Sequence, residues 1–177
     1  MGRIARVPRP TTALLLASLL AGVPRAAPAA TFLETSVEET ARTSQAVVRG
    51  VVERTRSRWA GSRIVTEVTV RVTGTWKGQP DDRLILLVPG GTVGDLAQTV
   101  DAAPTFEDGE EVVVFAGRRG RTWRVNGLAL GKYRVEGGVA TPGTGGARFE
   151  RRALAAGERA VGRMSVAELE SRVRSAK

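Results

Sequence analysis

The chain has 177 residues and a formal net charge of +9, and it contains neither cysteine nor histidine. This length is sufficient for one domain with a substantial core, and the missing cysteine excludes disulfides, lipid attachment through cysteine and thiolate metal sites. The missing histidine excludes Ser-His-Asp and Cys-His catalysis, the His-Glu-x-x-His zinc site and imidazole acid–base chemistry.

Residues 1–29 are predicted to be a secretory signal peptide. Three arginines (Arg3, Arg6 and Arg9) precede an uncharged apolar run from Thr11 to Val23, which at about 13 residues is too short to cross a bilayer. We expect cleavage after Ala29, with Ala30 as the alternative position, so that the protein is exported to a periplasm or out of the cell and keeps no membrane span. The alternatives are a retained membrane anchor and a buried core helix. Cleavage removes four arginines and no acid, which lowers the net charge from +9 to +5.

A helical lead-in is predicted over residues 30–45. Ser36 and Glu39 have the spacing of a capping box, in which each side chain satisfies a free amide at the start of a helix. The sequence therefore predicts a short helix from Val37 to about Thr43.

The next two segments predict a long β-hairpin. Residues 46–55 and 64–76 are rich in β-branched side chains, and the turn residues at 60–62 separate them. The second segment alternates with period two, so one face of that strand is expected to be buried. The residues assigned to that face are Ile64, Thr66, Val68, Val70 and Val72.

Further strands follow, each ended by glycine or proline. The apolar run at 83–88 is typical of a strand buried on both faces, and residues 92–105 are interpreted as extended, with a short helix as the alternative. Residues 111–116 and 122–125 predict a second hairpin, and residues 133–136 and 139–141 predict a third, turning at Gly137-Gly138.

The end of the chain changes character again. Residues 142–164 are rich in glycine and arginine and are predicted to be a linker. A second capping box at Ser165 and Glu168 predicts a C-terminal helix within residues 165–177, from Val166 to about Arg174.

Together these elements predict a mainly β protein. Six to eight short strands within residues 46–141, with helices only at the two ends, indicate a small single-domain β-barrel, and a β-sandwich is the alternative. Five aromatic side chains are spaced along the strands as core-filling residues: Trp76, Phe106, Phe115, Trp123 and Tyr133.

Routes to catalysis without histidine have little support. None of the lysines follows a serine at the three-residue spacing of a Ser-Lys dyad. The neighbouring carboxylates Asp81/Asp82 and Glu110/Glu111 flank turns, and adjacent strand residues point to opposite faces, so they are interpreted as solvated loop charge. We therefore predict that the protein is not an enzyme.

Three other patterns are also interpreted as turns or linker. Gly127–Lys132 is one residue short of a phosphate-binding loop and is followed by Tyr133, where that loop needs Ser or Thr. Residues 143–146 lack the strand and helix that flank a dinucleotide site. The acidic turn at 107–111 lacks the alternating ligands of a calcium loop. No cofactor or metal is predicted.

One constellation is a candidate binding site. Arg54, Arg56 and Arg58 alternate along a predicted strand and would share one face, with Trp59 next to them and Arg63 across the turn. Such a stripe of guanidinium groups can pair with phosphates or carboxylates, and the alternative is a solvated hairpin tip. Nucleic acid is not favoured, because no further aromatic residues accompany the stripe.

The order of these signals resembles that in a family of exported, uncharacterised bacterial proteins. The likeness covers about residues 33–135 and includes Trp76-Lys77-Gly78 at a strand end and Phe106-x-x-Gly109-Glu110-Glu111 before an apolar strand. The resemblance implies an OB-like barrel core of the netrin and tissue metalloproteinase-inhibitor kind, and it assigns no catalytic residue. Those inhibitor domains use disulfides and an N-terminal cysteine, which this chain lacks.

We therefore expect an exported, non-catalytic, monomeric β-barrel module that binds a protein or an anionic envelope component. The arginine-rich hairpin is the expected contact. The alternative is an inhibitor or accessory of a secreted protease.

Overall fold

The computed structural model describes residues 31–33, 35–120, 122–143, 148–150 and 153–176. The predicted signal peptide lies outside these residues. Two α-helices are present in the described part, α1 (Val37–Thr43) and α2 (Val166–Ser175), with a 3-10 helix at Leu128–Gly131. The strands of this part, in chain order, are β1 (Thr31–Leu33), β2 (Ala46–Ala60), β3 (Arg63–Lys77), β4 (Arg83–Pro89), β5 (Gly91–Val93), β6 (Leu96–Gln98), β7 (Glu111–Arg119), β8 (Thr122–Val125), β9 (Lys132–Glu136), β10 (Val139–Pro142), β11 (Arg148–Glu150) and β12 (Met164–Ser165).

Five of the strands form a partly closed ring. β2, β3 and β4 are an antiparallel meander, β7 pairs with β2, and β8 pairs with β7. The ring closes where β8 lies parallel to β4, through the single pair Leu86 and Trp123. A sheet that closes in part into a ring of strands is a barrel-like arrangement. The predicted mainly β barrel is therefore confirmed, and the sandwich alternative is wrong.

Two apolar clusters lie on the two sides of this sheet. One fills the ring and includes Val48, Val68 and Leu84, all fully buried. The other lies outside the ring, where β9, β10 and the two helices cover β2 and β7, and it includes Phe115 and Leu169. Trp76, Phe115 and Tyr133 are buried, and Phe106 and Trp123 are half-buried against the first cluster, which agrees with their predicted core-filling role.

β7 is buried on both faces, whereas the prediction of such burial for residues 83–88 is wrong. In β4, Leu84, Leu86 and Val88 are buried, whereas Ile85 is 50% exposed. In β7, the five residues 112–116 are all buried. The difference arises because the helices and β9 cover the outer face of β7, whereas the outer face of β4 stays open to solvent.

The long hairpin of β2 and β3 confirms its prediction. Ile64, Val68 and Val70 are buried, and Thr66 and Val72 are half-buried on the same face. Gly61 is the first residue of the two-residue turn and has φ 64°, which glycine adopts without steric cost. The pairing shows three register irregularities, the last between Val52 and Arg54.

Both helices begin where the capping boxes place them. The Ser36 hydroxyl accepts a hydrogen bond from the Glu39 amide at 3.0 Å, and Ser165 accepts one from the Glu168 amide at 3.1 Å. An ion pair of 2.9 Å between Arg172 and Glu38 joins α2 to α1. The hydrogen bond with Glu38 is the main cause that raises the pKa of Arg172 above its ordinary value.

The predicted linker at 142–164 contains ordered secondary structure in its described part. β11 pairs in parallel with β1, and Met164 is buried and pairs with Ala140 of β10. A linker prediction rests on local composition, and these contacts join residues far apart in sequence. The extended segment at 92–105 is confirmed in part, as β5 and β6 form a small hairpin before an irregular stretch.

A chain of hydrogen bonds fixes the corner between β4 and β5 to the long hairpin. Thr66 Oγ1 donates to the Gly90 carbonyl at 2.8 Å. Because this bond uses the one hydroxyl hydrogen of Thr66, Ser57 Oγ is the donor in the 2.9 Å bond between Ser57 Oγ and Thr66 Oγ1. The Thr92 amide in turn donates to Ser57 Oγ at 3.3 Å. Gly91 lies between these groups at φ 130°, and a Cβ there would be 2.3 Å from both hydroxyl oxygens.

We expect Gly91→Ala to destabilise the fold by about 1–3 kcal/mol, because the added methyl group would displace both hydroxyls. A urea titration followed by circular dichroism measures this effect. Gly94→Ala is the control for a glycine in open space, since nothing lies within 4 Å of its Cβ position and its φ of 58° is in the left-handed region that alanine can adopt at smaller cost than the φ of 130° at Gly91. Equal losses in the two variants would mean that backbone strain alone, and not the close approach, accounts for the effect.

Candidate functional site

The predicted arginine stripe lies on the exposed outer face of the β2–β3 hairpin. Arg54, Arg56 and Arg58 are all exposed and alternate with the half-buried Thr55 and Ser57. They lie directly opposite Thr69, Glu67 and Val65 of β3, so these residues share the outer face. The strand alternation that predicted one shared face is confirmed.

Trp59 does not share the face of the arginine stripe. Adjacent strand residues point to opposite faces, so Trp59 lies on the inner face with its partner Ile64, and its side chain is 47% exposed. Arg63 pairs with Ala60, which places it on the outer face with the stripe. The structure thus brings together the four arginines of the candidate site and separates the indole from them.

Ion pairs neutralise part of this face. Arg58 pairs with Glu67 at 2.7 Å, and Glu53 accepts from Arg83 at 2.8 Å and pairs with Arg71 at 3.4 Å. The hydrogen bond with Glu53 is the main cause that raises the pKa of Arg83. All of these side chains are partly or largely exposed, so the pairs contribute little to stability.

Arg54, Arg56 and Arg63 have no ion-pair partner among the described residues. Two of them lie two residues apart on one strand, which separates their Cα atoms by about 7 Å. The outer face of the hairpin therefore carries a local excess of positive charge that an anionic ligand can reach.

A buried ion pair forms a second polar site that the sequence did not indicate. Lys132 Nζ donates to Glu110 Oε1, and the two side chains are only 9% and 3% exposed. The Glu107 amide donates to Glu110 Oε2 at 3.2 Å, and the centroid of the Phe106 ring lies 5.1 Å from Lys132 Nζ. The pair lines a cleft of about 330 Å³ together with Arg134 and Arg163.

These contacts correct the interpretation of the neighbouring carboxylates. Asp81 and Asp82 are exposed, as expected for loop charge. Glu110 is instead buried against Lys132, and Glu111 pairs with Arg49 at 2.7 Å. The two glutamates therefore contact different partners and do not form one acidic site.

The other polar patterns keep their structural interpretation. Gly127 has φ 81° and precedes the 3-10 helix, so the segment ending at Lys132 is a turn. Residues 144–147, which include part of the second glycine pattern, lie outside the described residues. Within the described part of the chain, no three acidic side chains come together as a candidate metal site. No helix in that part is long and apolar enough to cross a membrane.

The fold and the site together define a small β-barrel with a cationic outer face on its longest hairpin. A comparison of the chain with protein-family models and with curated proteins found no match.

Proposed function

We propose that this protein is an exported, non-catalytic β-barrel module that binds a protein or an anionic envelope component through the outer face of its β2–β3 hairpin. The observation that carries this proposal is the pair Arg54 and Arg56, which are exposed and have no ion-pair partner among the described residues. Guanidinium groups bind carboxylates and phosphates in bidentate fashion, so a partner with either group suits this face.

The ion pairs of the neighbouring arginines narrow the expected contact to part of this face. Glu67 and Glu53 hold Arg58, Arg71 and Arg83, so an incoming anion would compete with existing pairs at those positions. At Arg54 and Arg56 no carboxylate has to be displaced. These two side chains are therefore the expected centre of the contact.

A capture experiment on cell-envelope extract tests the proposal. The double variant Arg54→Glu/Arg56→Glu should lose the partner that the wild-type protein captures. Its melting temperature should stay almost unchanged, because both side chains are exposed and the like-charge contact that Arg56→Glu creates with Glu67 is screened by solvent. Partner capture should also fall steeply as salt increases.

The matched control is Arg119→Glu/Arg124→Glu, which changes the net charge equally at two exposed positions on β7 and β8. Capture by this control should equal that of the wild type. If both variants lost the captured partner equally, net charge alone would explain the loss. Full capture by the hairpin variant would contradict the proposal.

A further inference from the structure

Strand β2 has one edge that is open over part of its length. On one side, β2 pairs with β3 along nearly the whole length of β2. On the other side, β2 pairs with β7 only from Ala46 to Val51. The last backbone bonds on the β7 side are from the Val52 amide to Glu110 and from the Gly109 amide to Val52. Over residues 53–59, no strand of the described chain lies along this second edge.

The hairpin geometry shows which backbone groups lie on that open edge. Ala60 and Arg63 flank a two-residue turn, and such residues exchange hydrogen bonds across the hairpin. Bonded and non-bonded pairs alternate in an antiparallel ladder, so the amides and carbonyls of Thr55, Ser57 and Trp59 face away from β3.

The residue opposite Trp59 supports this assignment. The Ile64 amide donates to Gln98 Oε1 at 2.7 Å, and the Ile64 carbonyl accepts from the Gly90 amide at 2.9 Å. Both backbone groups of Ile64 are thus turned toward the β4 side. Trp59 and Ile64 are therefore a non-bonded pair, as the alternation requires.

The two faces beside the open edge differ in chemistry. The arginine stripe lies on the outer face, whereas Thr55 and Ser57 line a cavity of about 430 Å³ on the inner face. The other walls of this cavity come from Thr66 and Val68 of β3 and from residues 88–92, 97–100 and 103–106. Its lining contains no charged residue, and Phe106 supplies an aromatic surface.

From these observations we propose that residues 53–59 of β2 accept an extended acidic peptide segment of a partner protein as an added strand. Backbone hydrogen bonds to the open edge would hold the segment, as in other cases of strand addition. Its acidic side chains at alternate positions would meet Arg54 and Arg56, because alternate residues of any strand share the same spacing of about 7 Å. The intervening uncharged side chains would face the cavity and Trp59.

The charges also argue against a second copy of this chain as the occupant. Antiparallel pairing of two β2 edges would bring the arginines of both copies onto one face, where like charges repel. This inference rests on the proposed function and specifies its partner, so its test must distinguish strand pairing from charge attraction alone.

A seven-residue peptide of alternating threonine and glutamate, with blocked ends, is the probe. Its threonine amides and glutamate amides face opposite edges of the extended chain, so N-methylation of one set blocks one edge without changing the charge. We expect the peptide methylated at its three glutamates and the peptide methylated at three threonines to differ at least about tenfold in affinity for the purified protein, measured by calorimetry at physiological salt.

The outcomes separate the two proposals. Equal affinity of the two methylated peptides, together with weaker binding by Arg54→Glu/Arg56→Glu, would overturn strand addition and keep the arginine surface as the binding site. Unchanged binding by that protein variant would overturn the proposed function itself. Absence of binding by the unmethylated peptide would also overturn strand addition and would leave the arginines as charges that protect an exposed edge.

Discussion

Val70→Asp should leave the barrel largely unfolded. Val70 is fully buried among the apolar side chains that fill the ring, and no cation lies within that cluster to pair with a new carboxylate. The lost packing and the buried polar group together should cost about 4 kcal/mol or more, against a typical domain stability of about 5–15 kcal/mol. Circular dichroism and thermal melting would detect the loss of cooperative unfolding.

Thr69→Asp is the matched control on the next residue of the same strand. Thr69 is half-buried on the outer face and lies opposite Arg54, so a carboxylate there gains a cationic neighbour. Its melting curve should stay close to that of the wild type. Equal damage from the two substitutions would contradict the assignment of the two faces of β3.

Local signals were sufficient to predict the elements that depend on local contacts. Ser36 and Ser165 each cap their helix by accepting a hydrogen bond from the amide three residues later. The contact therefore joins residues that are close in sequence, and their spacing predicts it. The third hairpin turns at Gly137 and Gly138, whose φ values of 55° and 78° suit the two central positions of a tight turn. These elements were predicted within a residue or two of their observed bounds.

Burial on both faces of a strand could not be predicted in the same way. The runs at 83–88 and 111–116 are similarly apolar, and the placement of the helices and β9 distinguishes them. Likewise, Met164 lies in the segment 142–164, whose glycine and arginine content predicts a linker, although its side chain is buried and it pairs with Ala140. Both errors concern contacts between residues distant in sequence, which composition does not reveal.

In the candidate site, too, the sequence predicted features that depend on local alternation and missed a contact between residues distant in sequence. Alternation placed the arginine stripe correctly on one face, but adjacency in sequence grouped Trp59 with it, and the same alternation puts Trp59 on the other face. Lys132 and Glu110 are 22 positions apart in the chain. Lys132 has the alternating pattern of a solvent-facing strand residue, so no local signal indicated its buried carboxylate partner.

The buried pair of Lys132 and Glu110 yields the second large expected effect. Lys132→Met would remove the ammonium that contacts the Glu110 carboxylate, whose side chain is 3% exposed, and would leave it the largely exposed Arg134, whose Nε lies 4.0 Å from Glu110 Oε1. Removing one member of a buried ion pair costs about 3–5 kcal/mol, because the other charge stays desolvated. We therefore expect a large fall in the urea midpoint of unfolding.

The double variant Lys132→Met/Glu110→Gln should recover most of this loss. It leaves no buried charge, and the glutamine side-chain oxygen can still accept the hydrogen bond that Glu107 donates to Glu110 in the wild type. Glu136→Gln is the control on an exposed pair, because Glu136 is 73% exposed beside Arg134, and its urea midpoint should not change. The opposite result would be a loss of stability in the double variant equal to the sum of the losses in Lys132→Met and Glu110→Gln. Such additivity would mean that the two charges are not coupled. The burial of Lys132 would then have to be explained by its contact with Phe106 alone.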